Sequence, residues 1–187
     1  MRKAMIAAGV FCIMLAPAQS QERREAAPHQ HGHGSLNIAI EGSRVTLELE
    51  APGNDVVGFE HTAKTKAQRE SVAKAKKLLG EPLTLFRLPA SAGCAVASAN
   101  VTIEGGSGNE AKKGGHKHDD HDHAHSEFHA EYTLECSKIT DLTSIEFLYF
   151  SMFKAAEELE VNIITPKGQT KFGVKSNKPR LDLSGVM

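Results

Sequence analysis

Ser35-Leu36-Asn37-Ile38-Ala39-Ile40-Glu41-Gly42-Ser43-Arg44-Val45-Thr46-Leu47-Glu48-Leu49-Glu50 decides the fold class. Leu36, Ile38 and Ile40 occupy alternate positions, as do Val45, Leu47 and Leu49. Side chains two apart share one face of a strand, so each half reads as a strand with one buried face. Gly42-Ser43 is a two-residue link of the kind that joins antiparallel neighbours. The stretch predicts a β-hairpin.

The same reading extends downstream. Ala92 to Glu104 predicts a strand, and Glu127 to Cys136 a second, with Phe128, Ala130, Tyr132, Leu134 and Cys136 on its inner face. Ser144 to Phe150, Leu159 to Thr165 and Gln169 to Lys175 add further strands, the last two joined at Pro166-Lys167-Gly168. A helical turn is expected between Met152 and Glu158. Ala63 to Leu79 lacks Gly and Pro and is rich in Ala, Lys, Gln, Arg and Glu, which predicts a helix. Thr62 is its expected N-cap, Gly80 its C-cap, and Pro82 bars continuation. The sum is an α+β fold: a mainly antiparallel sheet with one main helix over about 63–79.

Upstream, Arg2 and Lys3 precede the uncharged run Ala4 to Leu15, and Ala16-Pro17-Ala18 and Ala18-Gln19-Ser20 offer small-x-small cleavage patterns. This predicts a secretory signal peptide over 1–20, too short to span a membrane, and an exported protein with no membrane span. Residues 21–34 read as a flexible, His-containing arm. Residues 35–187 read as one domain carrying a His/Asp-rich loop over 105–126, disordered, at a hairpin tip. With Cys12 removed, Cys94 and Cys136 form an even pair, expected as one disulfide at the base of that hairpin. Metal thiolates are the alternative, but the spacing is unlike a C-x-x-C knuckle.

Within 187 residues there are ten His against two Tyr and no Trp, at a formal charge of −1. That charge excludes nucleic acid as a partner, since no basic stripe is present to neutralise phosphates. His116, His118, His121, His123 and His125 interleave with Asp119, Asp120 and Asp122. Neutral imidazole is a lone-pair donor suited to Zn, Cu and Ni, and carboxylates add charge and acceptors. At H-x-H spacing in extended chain, alternate rings reach one side. His29, His31 and His33 repeat the spacing in the arm, whereas His61 and His129 accompany ordered elements. His33, His61 and His129 are candidates for an ordered site if the sheet brings them together. No enzyme is expected: there is no G-x-S-x-G, no H-E-x-x-H and no phosphate loop opening a helix.

The segments His33 to Ile40, Glu48 to His61, Cys94, the His/Asp tract, Ser126 to Tyr132, Cys136 and Leu159-Glu160-Val161 occur in an order that resembles the ZrgA-like periplasmic zinc-binding proteins of Gram-negative bacteria. The resemblance covers nearly the whole chain after the signal. One departure is Ser151-Met152-Phe153-Lys154, where a Phe-Pro turn is expected. The resemblance implies a periplasmic protein that takes Zn²⁺ on its His-rich loop and assists zinc acquisition. Beyond the ion, a zinc ABC transporter or its binding protein is the expected partner. Two alternatives are a copper or nickel buffer and a transporter-docking protein whose His loop is incidental. Binding through imidazole is expected to weaken below about pH 6, because the ring must lose its proton to ligate.

Overall fold

Alternation of apolar residues in the sequence becomes alternation of burial in the structure. The computed structural model describes residues 30–105 and 125–186. Strands β1 (His33–Glu41) and β2 (Arg44–Pro52) form the expected hairpin, and Gly42 turns it with φ +59°, in the left-handed region that favours glycine. Next come helix α1 (Gly53–Val57), helix α2 (Lys66–Leu79), helix α3 (Pro82–Leu85) and strand β3 (Phe86–Arg87). Strands β4 (Cys94–Glu104), β5 (Glu127–Cys136) and β6 (Ser144–Phe147) follow, then helix α4 (Tyr149–Met152). Strands β7 (Glu158–Thr165), β8 (Gly168–Lys175) and β9 (Arg180–Asp182) complete the order.

The fold is mostly β. A six-stranded sheet runs β4-β5-β2-β1-β7-β8, and a three-stranded sheet runs β3-β6-β9. Four of the five neighbour pairings in the larger sheet are antiparallel. The exception is β1 beside β7, which run parallel with His33 opposite Glu158. Alternation names the buried face of a strand and not its neighbour, so this pairing is absent from the sequence reading. In the smaller sheet, β6 lies within the strand expected over Ser144 to Phe150 but stops at Phe147, because Tyr149 to Met152 turn into α4; its partners β3 and β9 are only two and three residues long, too short to show a period.

One face of the larger sheet is apolar. Leu36, Ile38, Leu47, Leu49, Phe128 and Leu134 are among its fully buried side chains, each worth about 2 kcal/mol of transfer free energy. An aromatic cluster packs in the same core. Phe86 meets Phe147 edge-on at 5.7 Å and stacks at 6.5 Å with Tyr149, while Tyr132 donates its hydroxyl to the Leu79 carbonyl at 2.8 Å. That last bond ties β5 to the end of α2. The opposite face is polar and carries Glu48, Glu50, Glu131 and Glu160.

The main helix begins at Lys66, three residues later than composition suggests. Thr65 and Gln68 form a capping box, in which Gln68 N–H donates to the Thr65 hydroxyl at 3.2 Å and Gln68 Oε1 accepts from Thr65 N–H at 3.0 Å. Thr62 has no Glu or Gln three residues on, so the box selects Thr65. The helical turn expected within 152–158 lies earlier, at α4. The departure at Ser151 falls inside it, where the Ser151 hydroxyl donates to the Leu148 carbonyl at 2.6 Å.

Candidate functional site: a carboxylate between two histidine tracts

Three segments far apart in sequence meet beyond the end of β2. The first is the link from α1 to Glu60. The helix stops at Gly58, whose φ of +82° is left-handed, and the chain continues through Phe59-Glu60-His61. The second is the start of β5, at Ser126. Gly53 N–H donates to the Ser126 carbonyl at 2.7 Å, and Ser126 N–H donates to the Glu60 carbonyl at 2.9 Å. A Cβ at Gly53 would lie 2.4 Å from Ser126 Oγ and 2.8 Å from the Phe59 carbonyl, so only glycine permits this approach. The third is the arm. Gly32 N–H donates to both carboxylate oxygens of Asp55 at 2.9 Å, and Gly32 C=O accepts from Glu157 and Glu158 N–H at 2.8 and 2.9 Å.

These fastenings bring two histidines onto one carboxylate. His31 Nε2 lies 3.0 Å from Glu60 Oε1, and His125 Nδ1 contacts Glu60 Oε2. The Glu60 side chain is only 12% exposed. Its Oε1 is shut off from water, with the His31 ring nitrogen beside it. Burial pushes the Glu60 carboxyl up, but the His125 and His31 rings and their charge outweigh it and hold it below the ordinary carboxylate value. Asp55, 4% exposed, is moved the other way: burial raises its carboxyl, against the Gly32 N–H, the charge of His31 and the Asn54 side chain.

The other expected ligands have separate surroundings. His33 Nδ1 is 4.0 Å from Glu158 Oε2, which also lies 3.6 Å from Lys175 Nζ. The His61 ring stacks on Phe59 at 5.0 Å and donates from Nδ1 to the Thr62 carbonyl at 2.9 Å. His129 stands on the polar face of β5, with Nε2 3.2 Å from Glu127 and 3.8 Å from Glu104, and Nδ1 4.0 Å from Glu50. His29, His116, His118, His121, His123, Asp119, Asp120 and Asp122 lie outside the described residues, as do the stretch expected as a signal peptide and residues 106–124 of the loop expected to be disordered. Cys94 and Cys136 are joined in a disulfide, opposite each other in the β4–β5 register. Their sulfurs are therefore not free to ligate.

Among the described residues, no three His, Cys, Asp or Glu are arranged to hold a metal ion as they stand. In this geometry the two imidazoles face the two different oxygens of Glu60. Sequence reasoning missed Glu60 and Asp55 as site residues. The available signal was an acid placed directly beside a histidine, Glu60-His61, and an acid amid the small and apolar residues of Gly53 to Phe59.

No curated protein matches the chain. Among the described residues, no helix is long and apolar enough to cross a membrane. A family model described as ZrgA family zinc uptake protein matches residues 28–183. That span takes in the three histidines of the arm, Asp55, Glu60, Cys94, Cys136 and the whole His/Asp tract, and the chain belongs to the ZrgA family of zinc uptake proteins.

Proposed function

We propose that this protein captures Zn²⁺ in the periplasm on its His/Asp tract, with His31, Glu60 and His125 as the ordered point at the tract's root. The observation that carries the reading is the meeting of two H-x-H runs on one largely enclosed carboxylate, that of Glu60. His125 ends the tract and His31 is the middle histidine of the arm. Imidazole nitrogen and carboxylate oxygen are zinc donors, and zinc is usually four-coordinate. The remaining position is filled by a further histidine of the arm or by water. His116, His118, His121 and His123 with Asp119, Asp120 and Asp122 act as collectors, and His29, His33, His61 and His129 as further donors. Ordering a free loop costs entropy at every fixed residue, so collector sites bind more weakly than the fastened root.

In this reading residues 1–20 are the export signal, 21–34 the arm and 35–187 a single zinc-binding domain. The protein catalyses no reaction, and it passes zinc to an ABC transporter or its binding protein. Calorimetric titration with Zn²⁺ tests the site. Deleting residues 114–123, which spares His125, should remove the weak equivalents and leave one tight equivalent. Glu60→Gln in that deletion should weaken the remaining equivalent by about tenfold, the worth of one charge-assisted bond. Zinc binding that is unchanged by both alterations refutes the reading. Cu²⁺ should displace Zn²⁺ in vitro, as the Irving–Williams order requires, so selectivity in the cell follows from metal availability.

A further inference from the structure

The arm is held to the fold at Gly32 from both sides. Its carbonyl accepts two backbone N–H groups, from Glu157 and Glu158, and that clamp does not depend on side-chain identity. Its N–H points the other way, to the Asp55 carboxylate, with both oxygens at 2.9 Å. Gly32 sits between His31 and His33, with φ +83°. A Cβ there would meet the Glu157 side chain at 3.1 Å. The direction in which His31 leaves the clamp is therefore set by how Gly32 is held.

Burying a carboxylate is costly unless it is hydrogen-bonded, and Asp55 is buried on a five-residue helix. The bond that offsets this burial reaches out of the helix to the arm. The carboxylate also lies close enough to His31 and Glu60 to interact with the charge of both. We propose that Asp55 is the positioning residue of the zinc site: it fixes Gly32 N–H and thereby presents His31 to Glu60. This rests on the zinc reading of the Glu60 cluster. Asp55 itself does not ligate the ion.

The test is a set of Zn²⁺ titrations on folded variants of the whole protein. Asp55→Ala is expected to weaken the Glu60-dependent equivalent by about tenfold, the net worth of one hydrogen bond to a charged group. Asp55→Asn keeps an oxygen that accepts the same N–H and is expected to restore most of the affinity. In a His31→Ala background, Asp55→Ala is expected to add no further loss, because coupled residues are non-additive. Equal losses in both backgrounds mark a merely structural residue and overturn the proposal. So does an Asp55→Ala protein that titrates like wild type beside weakened His31→Ala and Glu60→Gln proteins, a result that leaves the zinc site standing. If His31→Ala and Glu60→Gln themselves titrate like wild type, the zinc reading falls and the role of Asp55 falls with it. Should Asp55→Ala fail to fold, amide exchange in the wild-type protein decides. Protection of Gly32 N–H that deepens on adding Zn²⁺ supports the proposal. Exchange of that proton at an unstructured rate in both states overturns it.

Discussion

Glu60 and Asp55 are two carboxyls shifted in opposite directions, and their pH signatures oppose each other. Glu60 is held below its ordinary 4.5. A carboxyl lowered by folding lends stability that is complete above the unfolded value and fades as pH falls through the folded one. Wild type should therefore exceed Glu60→Gln in stability at neutral pH, and the gap should close as the solution is taken below about pH 4.5. Urea unfolding of both proteins across that range measures it, and a gap independent of pH contradicts the assignment. Asp55 is raised above 3.8, so its protonation on acidification favours the folded state and blunts the loss. Neither role was legible in the sequence. The Glu60–His125 contact spans 65 positions, and no local period marks a residue whose partners lie that far away. The histidines were legible because imidazoles spaced at alternate positions beside carboxylates point to metal whatever the fold around them.

At the scale of elements, the β4–β5 hairpin separates a covalent end from a chemical end. Cys94 and Cys136 pair at its base, 42 positions apart, and Glu104 faces Glu127 where the strands give way to the tract. A bridge closing a loop of this length is worth roughly 4 kcal/mol in the chain-entropy account. Reduction should lower the melting temperature while leaving the Glu60-dependent zinc equivalent in place, because Ser126 is fastened independently to Gly53 and Glu60. Parallel calorimetric and thermal measurements on reduced protein would show it, and loss of that equivalent on reduction would contradict it. The elements themselves were largely legible. The span of β5 matches the expectation at both ends, because five inward residues alternate without interruption. The helix start was misread because composition does not locate a cap. Thr65→Ala should destabilise the protein by about 1 kcal/mol, read as a shift in the urea midpoint without a change in slope.

Across the whole molecule, the sheet order explains why so small an ordered cluster can form. β1 and β2 occupy the centre of the larger sheet, with β5 on one flank and β7 on the other. The link from β2 to Glu60, the start of β5 and the first residues of β7 consequently gather at the same end, where the arm arrives. Fold class and strand faces followed from alternation, whereas this gathering followed from neighbour choice, which alternation does not encode.

The parallel pairing of β1 with β7 also has a kinetic consequence. No tight turn can join parallel neighbours, and the Asn162–Asn37 side-chain bond between these two strands spans 125 positions. Contacts so distant form late and slowly. Until Glu157 and Glu158 arrive, the first hairpin keeps one bare edge and Gly32 lacks its carbonyl clamp. The His31–Glu60–His125 cluster thus marks a finished chain: an interrupted or misfolded copy retains its histidines but does not assemble the fastened cluster.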